Sequence, residues 1–168
     1  ILLAFLSNRP DSFEGHRLLV RACRLLGRPF AEIEEAYRRA LALSPRDPEL
    51  LNEIGLFYML DGSDDRRAAE YFLESLASGL TPDAYHNLGL LHFRSRKYAL
   101  AVAALEKALE LSPEMGESWV LMAQIHTETP LRDAREAVRL WTKVRDLSKD
   151  DPSRRRRAEM ELKHLGSR

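Results

Sequence analysis

The chain repeats itself with a period of 34 residues. Ala-Leu-Ala-Leu-Ser-Pro, from Ala40 to Pro45, returns as Ala-Leu-Glu-Leu-Ser-Pro from Ala108 to Pro113, and 108 minus 40 is 68, twice 34. Ile54-Gly55 returns as Leu88-Gly89, and Pro48 returns as Pro82, each 34 residues on. A unit of that size is one supersecondary motif that cannot bury its apolar face alone, so copies of it must stack. The stretch from Pro82 to Pro113 shows the motif most clearly. Tyr85, Leu88, Gly89 and His92 lie in a first segment, and Tyr98, Ala101, Leu105, Ala108 and Leu109 in a second. Their spacing gathers each set on one face of a helix. A short polar turn joins the two, so the unit is a helical hairpin.

Tyr85-x2-Leu88-Gly89-x2-His92, then Ala101-x3-Leu105, Ala108 and Pro113, follow the pattern W-x2-L-G-x2-Y, A-x3-F, P, with His92 in place of tyrosine. In these residues the chain resembles the tetratricopeptide repeat, and four such units in register cover most of it. The resemblance implies an all-α fold, a right-handed superhelical solenoid of antiparallel helix pairs with about four repeats and a C-terminal capping helix. The expected division of one domain over 1–168 is a preceding helix tail at 1–11, repeats at 12–46, 47–81, 82–115 and 116–150, and a cap at 151–168.

Composition agrees and narrows the partners. Hydrophobic residues make up 45% and charged residues 31%, ordinary for a helical protein. The 26 basic and 26 acidic side chains cancel, which argues against a bulk electrostatic footprint for nucleic acid or an anionic membrane. Cys23 is the only cysteine, so it has no internal disulfide or CxxC partner; it fits a reducing, cytoplasmic compartment and fits a periplasmic one equally. No apolar run is long enough to span a membrane.

The chain begins at Ile1 rather than Met, which reads as a fragment or processed product. Ile1 to Leu6 reads as the tail of a preceding helix, with the end of a removed anchor or a local cap as alternatives. Asp11 or Ser12 then caps the first helix, with Glu14 placed for a capping box on Asp11. In the first hairpin the expected faces are Leu18, Leu19, Ala22, Leu25 and Leu26, then Phe30, Ile33, Tyr37, Ala40 and Leu41. Its register shifts by one residue, because Arg21 stands where a small residue belongs. Asp47-Pro48, Thr81-Pro82 and Asp151-Pro152 each read as a cap followed by proline at the first helical position. Asp61, Asp64 and Asp65 lack the order of a calcium loop and read as turn and cap. Thr129-Pro130 lengthens the fourth turn and should put the following helix out of phase. Gly55, Gly89 and Ala123, opposed by Ala68, Ala101 and Ala137, should let paired helices approach closely.

The resemblance also implies where function lies. In this family the first helices of successive repeats line a concave groove for a peptide or partner helix. Carried over, the groove residues are Glu49, Asn52, Glu53, Leu56 and Met59 from the second repeat. The third repeat gives Asp83, His86, Asn87, Leu90 and Arg94, and the fourth gives Glu117, Val120, Leu121, Gln124 and Glu128. Amides there can bond a ligand backbone while leucines and valine give apolar contact. The expected role is a protein–protein interaction scaffold or adaptor with a protein or peptide partner. A solvated face is the plain alternative.

Catalytic, cofactor and metal sites have no support. His92 and His126 replace a packing aromatic and sit in no HExxH motif, and no serine lies in a G-x-S-x-G elbow. A non-catalytic interaction domain of a larger enzyme fits the same residues. The rival reading is nucleic-acid or anionic-surface binding through Arg154, Arg155, Arg156 and Arg157, although four successive residues spread around a helix and Glu159 and Glu161 offset them. Self-association through Leu2, Leu3 and Phe5 is a third.

Overall fold

Capping side chains and prolines set where most of the helices start. The structure is a computed structural model that describes residues 12–166, and among these it contains nine α-helices and no strand. They are α1 (Phe13–Leu25), α2 (Phe30–Leu43), α3 (Pro48–Leu60), α4 (Asp65–Ser78), α5 (Pro82–Arg94), α6 (Tyr98–Leu111), α7 (Gly116–Glu128), α8 (Ala134–Leu147) and α9 (Pro152–Gly166). Asp47 and Thr81 accept the N–H of Leu50 (2.7 Å) and Ala84 (3.3 Å), and Asp151 accepts that of Arg154 (2.9 Å). Each stands directly before a proline whose missing N–H is not needed in the first turn. Ser12 caps α1 through the N–H of Gly15 at 3.1 Å. Glu14 is therefore the second helical residue rather than the third, which corrects the capping-box expectation. Asp11, and every reading placed on Ile1 to Leu6, lies outside the described residues.

The turns show local strain. Gly27, Ser63 and Arg96 have φ of 60°, 50° and 58° after α1, α3 and α5. Glycine takes that conformation freely, whereas Ser63 and Arg96 each accept a cost of roughly 1–2 kcal/mol. Gly62, the glycine of the acidic turn, serves a different purpose: a Cβ there would lie 3.0 Å from Phe30 Cε2 and 3.2 Å from the Tyr58 carbonyl oxygen. Asp64 accepts the N–H of Arg67 at 3.0 Å and Asp61 lies 3.5 Å from Arg24, so the acidic turn caps and pairs.

Compactness separates the chain after Leu80. In the first unit α1 pairs with α2, α3 pairs with α4, and α2 meets α3. Its core holds Val20, Ile33, Tyr37, Leu51, Ile54, Phe57 and Phe72, all buried. One expectation is corrected here. Leu18, Leu25 and Leu26 are 49%, 88% and 75% exposed, and α1 instead buries Gly15, His16 and Val20. At about 100° per residue, Leu18 and Leu25 share the side away from His16 and Val20, while Leu26 lies past the helix end.

In the second unit α5 pairs with α6 and α7 with α8; α9 packs on α8, and α6 and α5 both meet α7. Leu105, Ile125, Leu140, Trp141, Val144 and Ala158 are fully buried, with Leu162 and Leu165 of α9 packed against them. The small positions work as the spacing requires: Ala68, Ala101, Ala123 and Ala137 have no exposed surface, and Gly55 and Gly89 are buried. α8 starts at Ala134, and 134 minus 98 is 36 rather than 34, the shift expected from the long turn at Thr129-Pro130. No helix among the described residues is long and apolar enough to cross a membrane.

Candidate functional site

The second unit carries a cleft along α5, α7 and α9. The repeat explains its lining. Side chains one step off the buried stripe of a helix stand at its margin, and three margins converge here. α5 contributes His86 and Leu90; α7 contributes Glu117, Val120, Leu121 and Gln124; α9 contributes Ser153, Arg154 and Arg157. The cleft has a volume of about 430 Å³. Leu90, Val120 and Leu121 form its apolar part, and Leu121 is the most deeply placed of the three.

The polar rim is ordered by hydrogen bonds. His86 Nδ1 lies 2.9 Å from Ser118 Oγ, and Ser118 is fully buried. Burial holds the His86 ring below the usual histidine pKa, against the pull of the Glu117 and Asp83 carboxylates. Arg154 pairs with Glu117 of α7 and with Asp151, the capping residue directly before its own helix. Gln124 accepts a hydrogen bond from Arg157 Nη2 at 3.3 Å and donates to Glu128 at 3.1 Å. The guanidinium of Arg157 lies 5.4 Å from the ring centroid of Trp141. Trp141 is itself held by its indole N–H, which donates to Thr127 Oγ1 at 3.0 Å.

Of the positions assigned in the third and fourth repeats, His86, Leu90, Glu117, Val120, Leu121 and Gln124 come together in this cleft. Glu128 joins its edge through Gln124, Asp83 and Arg94 are exposed, and Asn87 is buried. In the first unit Glu49 is exposed and Leu56 half-buried, while Asn52 and Met59 are buried rather than open to a ligand. Glu53 accepts a hydrogen bond from Arg17 Nη2 at 2.8 Å, which ties α3 to α1. The amides Asn52 and Asn87 point into the packed layer because the 34-residue pattern fixes the face only to within one position.

Ser153, Arg154 and Arg157 are the cleft residues that the sequence reading did not place there. A signal existed: Arg154 stands four residues before Ala158, on the stripe continued by Leu162 and Leu165, and Arg157 flanks it. The arginine run is thereby divided. Arg154 and Arg157 face the cleft, Arg155 pairs with Glu159 at 3.1 Å, and Arg156 is exposed. His92 and His126 are half-buried beside the packed layer. Burial, together with the Lys97 cation, lowers the pKa of His92.

Comparison with known proteins accords with this architecture. Two family models, both described as tetratricopeptide repeat, match residues 82–115 and residues 1–48. BBSome complex member BBS4 of Mus musculus is 33% identical over 119 residues, 69% of this chain but 22% of that protein. The chain thus spans less than a quarter of that curated relative. Among solved structures, Pseudomonas aeruginosa pilF is 24% identical with a TM-score of 0.77, over 98% of this chain and 81% of that one. The first tetratricopeptide domain of Spaghetti (RPAP3), bound to the HSP90 peptide SRMEEVD, is 19% identical with a TM-score of 0.62, over 73% of this chain and 92% of that one. These two likenesses show the fold: antiparallel helix pairs of the solenoid class. By its repeat period, its helix pairs and the two matching family models, this chain is a tetratricopeptide repeat protein.

Proposed function

We propose that this chain is an interaction scaffold that holds a peptide or helix of a partner protein against its inner helices, with the cleft of the second unit as the contact. The observation that carries this reading is the cleft itself, in which an apolar strip of Leu90, Val120 and Leu121 adjoins ordered polar side chains. A bound segment needs both: somewhere to bury a side chain and groups to bond its backbone. Tetratricopeptide repeats support the coarser statement, a protein–protein interaction scaffold, and one similar structure holds a peptide. The family and its neighbours are in general non-catalytic.

The reading is tested by affinity capture from cell lysate, without and with nuclease, comparing wild type with a Leu90→Arg/Val120→Arg variant of unchanged helical circular dichroism. Loss of a specific protein from the variant supports the groove. Capture that survives in the variant but disappears on nuclease treatment, or with Arg155→Gln/Arg156→Gln, refutes it.

A further inference from the structure

The arginines of α9 differ in what holds them. Arg154 is neutralised by Glu117 and Asp151, and Arg155 by Glu159. Arg157 is fixed by two neutral groups, the ring of Trp141 at 5.4 Å and the Gln124 amide oxygen at 3.3 Å. The nearest carboxylate in that network, Glu128, bonds the other end of Gln124 and not the guanidinium. Among the described residues Arg157 forms no ion pair. The result is a cation resting on neutral partners at the edge of an apolar strip.

We infer that this cleft selects a partner segment bearing an Asp or Glu side chain that reaches Arg157, next to an aliphatic side chain seated on Leu90, Val120 and Leu121; the inference rests on the groove reading above. A carboxylate arriving there replaces a long hydrogen bond to a neutral amide by one between opposite charges. The ordering cost is reduced, because the guanidinium already rests on the Trp141 ring. Burial of the neighbouring aliphatic side chain excludes water and strengthens the same pair. Glu117 does not cancel the attraction, since the cleft lining sets two cations, Arg154 and Arg157, against that one carboxylate, with Asp151 and Glu128 standing beside it.

The test is selection of displayed random peptides, about a dozen residues long, against the whole chain as wild type, Arg157→Gln, Arg157→Lys and Leu90→Arg. Wild type should enrich sequences with Asp or Glu at a fixed offset from Leu, Ile or Val. Arg157→Gln should lose the acidic preference but keep the aliphatic one, and Arg157→Lys should retain both. A selected peptide remade with Gln for its acid should bind wild type about threefold to tenfold more weakly and bind Arg157→Gln unchanged. Peptides that need Leu90 but show no acidic preference overturn the inference and leave the groove reading standing. Enrichment only of free C-terminal carboxylates overturns it as well. Absence of any peptide sensitive to Leu90→Arg overturns both.

Discussion

Phe72 packs against the backbone at Gly55, so close that a Cβ there would fall 2.5 Å from its Cε1 and 2.6 Å from its Cδ1. The ring is fully buried and cannot retreat into solvent. Alanine at 55 gains about 1 kcal/mol of helix propensity, yet it inserts an atom where none fits. Gly55→Ala should therefore destabilise the fold by about 1–3 kcal/mol net in urea unfolding. Gly89→Leu should cost a similar amount, because its Cβ would lie 2.9 Å from Leu105 Cγ and 3.3 Å from the Ala101 carbonyl oxygen. Wild-type stability in both variants would refute close approach at these pairs.

α6 starts without a side-chain cap. Lys97 occupies the capping position at φ −88°, ψ 62°, near the φ −108°, ψ 81° from which Asp64 caps α4. A cation at a helix N-terminus also opposes the helix dipole. Lys97→Asp should stabilise the protein by about 0.5–1 kcal/mol, since the residue is exposed and its backbone already has the needed shape. The same change removes the charge that helps to lower the His92 pKa, so His92 should titrate higher. Ring-proton NMR reads the second effect and urea unfolding the first; a stability that falls on substitution would sink the capping argument.

His86 links stability to pH with a definite sign. Its pKa is lowered below 6.5 in the folded chain, chiefly by burial. Between the two values the unfolded chain binds the extra proton, so unfolding free energy rises with pH in that window. The penalty is absent above about pH 6.5 and accumulates as pH falls through 6.5 towards the folded value. The Asp83 and Glu117 carboxylates oppose the shift without reversing it. His86→Gln keeps a hydrogen-bonding group for Ser118 and cannot be protonated. Wild type should lose more stability than this variant between roughly pH 7.5 and pH 5.5; equal losses would show that His86 is not the linked group.

The 34-residue period made the helix pairs legible because it acts on every copy at once. Gly55, Gly89, Asp47 and Thr81 each have one local physical task, and those tasks read directly from residue type. The cleft was legible where a repeat supplied it, as for His86, Leu90, Val120 and Gln124. It was not legible at Asn52 and Met59, because one helical step separates a groove position from a buried one, and only packing decides between them. α9 was legible as a capping helix, but the part its arginines take in the cleft was not. Four in a row spread around the helix, and only packing shows that Arg154 and Arg157 turn to the cleft. Nor does any local pattern pair Tyr58 with Glu34, 24 residues away, at 2.6 Å. That bond needs α2 and α3 packed.

The Tyr58 cluster yields a test for the first unit. Tyr58 donates its hydroxyl to Glu34, Arg67 reaches both at 3.3 Å, and Tyr71 stacks on the ring with centroids 5.4 Å apart. Burial, then the hydrogen bond to Glu34, push the Tyr58 pKa up to about 12. A raised pKa favours the neutral phenol in the folded chain. Its contribution is complete below pH 10, the unperturbed value, and is lost as pH rises towards about 12. Tyr58→Phe should cost about 1 kcal/mol near neutral pH and delete the highest-pH step of the tyrosine absorbance titration. An unchanged titration would exclude this cluster.

Arg154 fastens α9 at its N-terminal end. Its side chain is 27% exposed and reaches Glu117 on α7 as well as Asp151. Ala158, Leu162 and Leu165 hold the same helix by apolar contact farther along. Removing the arginine should therefore loosen the first turns of α9 without detaching the helix. A partly exposed pair of this kind contributes at most about 1 kcal/mol, so global unfolding of Arg154→Ala should change little. Local opening should change more visibly. Amide exchange in a peptide covering residues 152–157 should speed up about fivefold, while α8 stays protected. A rate equal to wild type would mean that apolar packing alone seats this end of α9, and that the walls of the cleft do not depend on the Arg154–Glu117 pair.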